Sequence, residues 1–249
     1  MNKISIPKEH GAYVVLLAAW LLGIVYSTCV DVIGFALALI LPLSLFFLQE
    51  PIRRIFRPRS KGNAQFDLFS LFLVVVALSS AALILIRAPE TVFIGIPVVM
   101  VAVLYFYFIR KRSNPIILSL IGFVGLSLIT PLTIVAARCP IRIEFLVSIW
   151  LLAAFFFCGS VLCVNIRLSA GRGVRLASIY HVVALIVMIL LVQYGYLPLS
   201  AIAVIGISFF RLLLISMNKK TYVRLPIKII GIQESVVTAL GVLISMFKF

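Results

Sequence analysis

The chain has 249 residues, of which 64% are hydrophobic and 12% charged, and its mean hydropathy is +1.26. Soluble domains average about 45–50% apolar and 25% charged residues, so this composition excludes a soluble domain and predicts an integral membrane protein. The net charge of +15 does not indicate a nucleic-acid binder, because the Lys and Arg residues lie in short segments between apolar runs.

Nine apolar runs follow one another along the chain, and a membrane-crossing helix needs about 20 such residues. The fold class predicted is therefore an all-α, polytopic membrane bundle of nine transmembrane helices, in a single domain over residues 1–249. A re-entrant hairpin at the first or third outer turn would mimic two spans. The runs cover approximately residues 11–28, 32–49, 66–86, 91–109, 115–137, 143–164, 175–193, 198–217 and 228–247.

The distribution of cations predicts the orientation, because Lys and Arg accumulate in cytoplasmic loops. Of the 22 Lys and Arg residues, 17 lie in segments on the N-terminal side of the membrane and four on the other side, namely Arg87, Arg138, Arg142 and Lys248. We therefore expect a cytoplasmic N-terminus and an outer C-terminus. The first helix is expected to act as its own insertion signal, because no soluble mature domain follows it.

The two longest inner loops, at residues 50–65 and 165–174, follow the second and sixth runs. This spacing of four runs indicates an internal repeat. The predicted halves are residues 1–112 and 113–222, each with four helices, and the ninth helix covers 228–247.

The stretch before the first run, residues 6–13, reads IPKEHGAY and places Glu9 beside His10. An acid at a helix start is favoured by the helix dipole, so one reading is a polar cap. The other reading is a functional site. PKEHGAY resembles the opening signature of the YwiC-like family of bacterial membrane proteins, and Glu50-Pro51 and Gln233-Glu234 resemble that family more loosely.

The nine spans, with distinctive inner loops after spans two and six, are similar to the UbiA superfamily of membrane prenyltransferases. The resemblance implies Asp-rich motifs that hold magnesium and, through it, a prenyl diphosphate. This sequence departs from that pattern, because its two Asp residues are Asp31 and Asp67. Arg matches phosphate oxygens directly, so the residues expected to bind an anionic head are Arg53, Arg54, Arg167 and Arg175, with Asn165 and Glu50 beside them. Each of these Arg residues also has a simpler explanation: it sets the orientation of the chain in the membrane, or it is attracted to anionic lipids.

Ionisable residues inside the runs are the other candidates, because such residues mark functional sites. They are His181 in the seventh run, Arg211 in the eighth and Glu234 in the ninth, and the neutral amide Gln233 beside Glu234 is a further candidate. Arg211 either extends to the inner phosphates or pairs with an acid such as Glu234.

Three functions remain open. The first is a UbiA-like membrane enzyme or binder for an isoprenoid or other lipid, in the bacterial cytoplasmic membrane, with Glu9, His10 and Glu50 as acid, base or ligand. The second is a permease for a small anion, and the third is a non-catalytic assembly or lipid-binding protein. Magnesium is a candidate cofactor, although no short-range ligand spacing supports a metal. In the first case the rim residues, including Glu9, His10 and Arg167, would share one cavity.

The four cysteines contain no CxxC motif. Cys158 and Cys163 lie in an apolar run and are expected to be buried thiols. Cys29 and Cys139 fall in outer loops, where oxidation is permitted. We expect both to be free, because they adjoin helices that the sequence does not place together.

Overall fold

The computed structural model describes residues 10–55, 68–111, 114–140 and 142–247, and these ranges contain helices and turns but no strand. A single 3-10 turn, Pro89–Thr91, precedes the fourth helix. The helices are α1 (His10–Tyr26), α2 (Val32–Ile55), α3 (Leu68–Arg87), α4 (Val92–Arg110), α5 (Pro115–Ser127), α6 (Ile129–Ala136), α7 (Ile143–Leu168), α8 (Val174–Gln193), α9 (Ser200–Met217), α10 (Lys219–Arg224) and α11 (Ile227–Ser245).

Each predicted apolar run corresponds to helix in the structure. Over the described residues, seven helical segments are long and apolar enough to cross a membrane, and α1 and α2 supply two shorter apolar segments, Gly11–Tyr26 and Val32–Leu48. The chain is therefore a multi-pass helical membrane protein. Nine crossings and the orientation stay predictions.

The fifth apolar run is divided into α5 and α6, which the sequence analysis did not predict. Pro131 has no backbone N–H, so it cannot donate to the carbonyl of Ser127 one turn earlier. The chain relaxes at this point, and the amide of Leu128 donates to the carbonyl of Gly125, at 3.1 Å. Pro97, by contrast, lies inside the continuous helix α4.

The core of the bundle lies around α1 and α7. Small residues let the neighbouring helices approach closely, as is usual within membranes. A Cβ atom on Gly34 of α2 would lie 2.2 Å from the carbonyl oxygen of Ala136. A Cβ atom on Gly23 of α1 would lie 2.5 Å from Cβ of Thr133. Because these two positions have no side chain, α1 and α2 can pack directly against α6.

The helices differ greatly in how far they are buried. In an 18-residue apolar stretch of α7, 61% of the residues are buried inside the bundle, against 6% in a stretch of the same length that includes α4 residues. Large apolar side chains such as Phe93, Val99 and Val103 are exposed on α4. These side chains suit contact with lipid tails, so α7 is a central helix and α4 a peripheral one.

The two ends of the bundle carry different contacts. We call the end where α1 begins the motif end; there Arg167 Nε donates to the carbonyl of Leu225 at 2.9 Å. At the opposite end Arg87 forms an ion pair with Asp31 at 2.5 Å. The side chain of Arg138 also donates there, from Nε to the carbonyl oxygen of Arg87, at 2.7 Å.

The turn between α1 and α2 meets the turn after α6 at that opposite end. Ser27 Oγ lies 2.9 Å from Cys139 Sγ and donates to the carbonyl of Cys29 at 2.9 Å. The close approach of α2 to α6 therefore brings together two turns that the sequence alone does not place together. Both cysteines are free thiols in the structure.

Candidate functional site

A buried ion pair between Arg211 and Glu234 is the main polar feature within the bundle. Arg211 lies in α9 and Glu234 in α11, and their side chains are only 10% and 14% exposed. Glu234 follows the first residue of α11 by seven positions, which at about 1.5 Å per residue places it about 10 Å inside the helix. Of the two readings of Arg211, the structure therefore confirms the pairing with Glu234.

Two serines connect this pair to neighbouring helices. Arg211 reaches Ser160 Oγ of α7 from one terminal nitrogen, at 3.5 Å, and Ser208 Oγ of α9 from the other, at 3.4 Å. Both serines are buried. The guanidinium Nε of Arg211 is buried and has no hydrogen-bond partner among the described residues.

His181 of α8 completes this group. Its Nδ1 lies 2.8 Å from the carbonyl oxygen of Ala177, which can only accept, so Nδ1 carries the proton and donates. In the neutral ring Nε2 then accepts from the hydroxyl of Ser208, at 3.1 Å. Gly159 of α7 makes room for this contact, because a Cβ there would lie 3.0 Å from Nε2.

We call Ser160, His181, Ser208, Arg211 and Glu234 the polar cluster. Its charges neutralise each other and its hydroxyls have partners, as buried polar groups require. It joins α7, α8, α9 and α11 by contacts that do not need a ligand. The arrangement is suited to fixing these helices relative to one another.

An apolar cavity of about 470 Å³ lies between α1, α2, α4, α5 and α6. Its volume falls within the usual range of about 300–1,000 Å³ for small-molecule sites. The hydroxyl-bearing side chains in its wall belong to Tyr105 and Ser119. Large apolar side chains form most of the remaining wall, including Leu41, Leu45, Phe46, Phe106, Ile109, Leu118, Phe123, Leu126, Ile129 and Leu132.

Small residues on α5 create this space. Gly122 and Gly125 line the cavity, and a Cβ on Gly122 would lie 3.8 Å from the ring of Tyr105, which is ordinary contact. A Cβ on Gly125 would lie 3.0 Å from Val101 and is more constrained. Larger side chains at these two positions would occupy the cavity.

One end of the cavity adjoins the motif end. Ala12 lines it two residues after His10, and Phe46 lines it four residues before Glu50. Ile109 lines it directly before Arg110 and Lys111, which are both exposed. Helices α1, α2 and α4 thus lead from an apolar wall to charged residues at the same end of the bundle.

A second cavity, of about 270 Å³, lies between α4, α6 and α7 toward the opposite end. Its wall includes Glu90, Pro97 and Trp150. Neither this cavity nor the larger one is lined by a residue of the polar cluster.

The structure separates the predicted site residues into groups. It brings His181, Arg211 and Glu234 together, whereas Arg175 and Gln233 are exposed outside the polar cluster. Asn165 is buried beside Gly173. The prediction that the rim residues share one cavity stays a prediction, because Glu9 lies outside the described residues. The backbones of four further residues are described as helical, but their side chains are not described: His10, Glu50, Arg53 and Arg54.

Sequence reasoning missed Ser160, Ser208 and the cavity wall. Ser208 is three residues before Arg211, so the two share a helix face, and this spacing was a usable signal. Across the described ranges, no group of three or more His, Cys, Asp or Glu side chains comes together as a metal site. The side chains of Glu9, Glu50 and Asp67 are outside the described part of the structure.

The family model of YwiC-like proteins matches residues 6–134, just over half of the 249-residue chain. The chain belongs to the YwiC-like family. The match confirms the resemblance inferred from PKEHGAY, and it covers α1 to α5 and most of α6, the helices around the apolar cavity. For this YwiC-like protein, comparison with curated proteins and with solved structures gives no match. The UbiA-like architecture stays a prediction.

Proposed function

We propose that this YwiC-like protein binds a lipid, of isoprenoid or acyl type, in the apolar cavity and holds the anionic head of that lipid at the motif end. The observation that carries the proposal is the cavity of about 470 Å³, with its aromatic and aliphatic wall, in a bundle surrounded by lipid. An apolar chain gains free energy there by the same burial that drives other apolar ligands into such sites.

Charge at the motif end supports the second half of the proposal. Arg110 and Lys111 follow the cavity residue Ile109 directly, and Arg53 and Arg54 lie near the end of the cavity helix α2. Arg presents donors that match phosphate or carboxylate oxygens. We assign the motif end to the cytoplasmic face of a bacterial inner membrane, following the 17-to-4 division of cations.

The chemistry we propose is that of a membrane-embedded enzyme acting on the lipid head. His10 precedes Ala12 in α1 and Glu50 follows Phe46 in α2, so both belong to helices that line the cavity, and Glu9 comes directly before His10 in the sequence. A carboxylate and an imidazole supply general acid and base groups that work near neutral pH. Arg167 is held by the carbonyl of Leu225, which favours the α2 and α4 cations as the head-binding set.

A filled cavity tests the lipid-binding proposal. Gly122→Leu places a side chain in the cavity, where even the Cβ meets only the Tyr105 ring, at 3.8 Å. Gly206→Leu on α9 is the matched control, because a Cβ there meets no atom within 4 Å. We expect the wild type and Gly206→Leu to retain a stoichiometric lipid, enriched over the bulk membrane, in mass spectrometry of the purified protein.

Gly122→Leu should lose this lipid while keeping the helical circular-dichroism spectrum and the elution volume of the wild type. If all three proteins carry the same lipid mixture as the surrounding membrane, the cavity binds no particular lipid and the proposal is wrong.

A further inference from the structure

Two thiols from distant parts of the sequence meet at the opposite end of the bundle. Ser27 Oγ lies 2.9 Å from Cys139 Sγ, and it accepts a hydrogen bond from the backbone amide of Cys29 at 3.3 Å. Ser27 Oγ also donates to the carbonyl of Cys29, at 2.9 Å, so one serine side chain contacts both the thiol of Cys139 and the backbone of Cys29. These contacts bring the two cysteines next to each other.

The surrounding structure fixes the two turns. Gly34 allows α2 to reach α6, and the ion pair of Asp31 with Arg87 holds the start of α2. Arg138, directly before Cys139, has a φ of 57° and donates to the carbonyl of Arg87. Because both turns are held by these contacts, the cysteines stay adjacent in the folded protein.

The two cysteines differ in access and in acidity. Cys29 is half-buried between the exposed residues Thr28 and Val30, whereas Cys139 is buried. Burial raises the pKa of Cys139, but the hydrogen bonds of its sulfur with Cys29 and Ser27 outweigh burial and lower the pKa below the ordinary thiol value. The pKa of Cys29 is raised, chiefly by its hydrogen bond with Cys139. The lowered pKa of Cys139 increases the fraction present as thiolate, which is the attacking form in disulfide exchange.

We propose that Cys29 and Cys139 form a redox site that is oxidised to a disulfide by exchange with a low-molecular-weight disulfide. Cys29, the accessible thiol, gives up its proton, attacks the external disulfide as a thiolate and forms a mixed disulfide, and the first released thiolate takes up that proton. The Cys139 thiolate then attacks the Cys29 sulfur and displaces the second thiolate, which takes up the proton that Cys139 gave up. One disulfide is reduced to two thiols and one disulfide is formed, so atoms and electrons balance.

The other two cysteines provide an internal control. Cys158 and Cys163 are buried in α7, at 3% and 0% exposure. Their positions, five apart on one helix, keep them from facing each other. If reaction with an external disulfide requires an exposed thiol with a second thiol beside it, Cys158 and Cys163 should both remain thiols.

The experiment uses the full chain in lipid nanodiscs, treated with oxidised glutathione and then blocked with N-ethylmaleimide. Peptide mapping without reduction should show Cys29 linked to Cys139, with Cys158 and Cys163 carrying no glutathione. In Cys139→Ser the resolving thiol is absent, so a mixed disulfide with glutathione should accumulate on Cys29. In Cys158→Ser, the matched control, the link should form as in the wild type.

Two results would overturn the proposal. One is that Cys29 and Cys139 of the wild type both remain free for N-ethylmaleimide after the treatment. The other is that each carries a separate glutathione, because adjacent thiols would have displaced it. This readout does not depend on lipid binding, so it succeeds or fails independently of the proposed function.

Discussion

The helices α1, α2, α4, α5 and α6 leave an apolar cavity between them, whereas α7, α8, α9 and α11 close around the charges of the polar cluster. The cavity has about 470 Å³ of space and mainly apolar walls. In the cluster, an ion pair, two serines and a histidine bond to one another, and among its polar atoms Arg211 Nε has no partner in the part of the chain that the structure describes. The same membrane bundle therefore contains a cavity with space for a ligand and a polar cluster whose charged groups bond to one another.

The contrast shows why ionisable residues in a span are not by themselves evidence of a transport path. A charge in the membrane needs a partner, and Arg211 and Glu234 supply one another. An apolar cavity has no such internal partner, and in a membrane the surrounding lipid is its natural occupant. This contrast supports our proposal that the cavity binds the lipid and that the polar cluster has a structural role.

The largest expected effect is at the polar cluster. Glu234→Ala leaves the Arg211 charge buried without a counter-ion, which costs about 3–5 kcal/mol of folding free energy. We expect a large drop in the thermal unfolding midpoint of the purified protein. Gln233→Ala, at the exposed neighbouring position, is the control and should unfold like the wild type.

The double variant Arg211→Met with Glu234→Leu sharpens the comparison. This variant has no buried charge without a counter-ion, so it should recover most of the stability that Glu234→Ala loses. A double variant that is stable yet has lost lipid binding would contradict the structural role given to the cluster.

A smaller effect is expected at the motif end of the cavity. Arg110→Ala with Lys111→Ala removes two exposed cations, each worth about 1 kcal/mol toward an anionic lipid surface. The double variant should bind phosphatidylglycerol roughly thirtyfold more weakly in native mass spectrometry. Phosphatidylcholine binding should not change. Arg142→Ala, an exposed cation at the opposite end, is the matched control, and an equal loss there would refute a head-binding role for Arg110 and Lys111.

The smallest effect concerns the Asp31–Arg87 ion pair. The hydrogen bond from the amide of Gly34, helped by Arg87, lowers the pKa of Asp31 below its ordinary value. A lowered pKa means that the stabilisation is complete above the ordinary value, about 3.9, and is lost as the pH falls through the lowered one. Asp31→Asn should cost up to about 1 kcal/mol at pH 7.

The thermal midpoints of Asp31→Asn and the wild type should therefore approach each other in acid, below about pH 4. Glu90→Gln, an exposed acid at the same end, should follow the wild type throughout. A constant difference between Asp31→Asn and the wild type at all pH values would show that the carboxylate charge has no part in holding the turn.

Much of the fold follows from the sequence, because hydropathy determines which segments are helical in a membrane. The predicted run 143–164 corresponds to Ile143–Leu168, and 175–193 to Val174–Gln193. The division between α5 and α6 is harder to predict from the sequence, because the helix is interrupted just before Pro131 but continues through Pro97. The short helix α10 lies in a stretch predicted as loop, and a hydrogen bond from the hydroxyl of Tyr222 to the carbonyl of Cys163 stabilises it.

The candidate site was predictable only in part. Charge complementarity within the membrane suggested Arg211 with Glu234, and the structure has that pair. The meeting of Cys29 with Cys139 depends on the approach of α2 to α6 at Gly34, which residue patterns do not encode. The cavity depends on the space that several helices leave together, so no single segment predicts it.

The most direct test of the cavity is photo-crosslinking from inside it. A photoreactive amino acid at Ser119, in the cavity wall, is compared with the same residue at Phe210, which is exposed on α9. Irradiation in native membranes, followed by mass spectrometry, identifies the attached lipids. We predict that position 119 captures one lipid class, enriched over its share of the membrane, while position 210 captures the bulk mixture. Capture of the bulk mixture at both positions would contradict a specific lipid site.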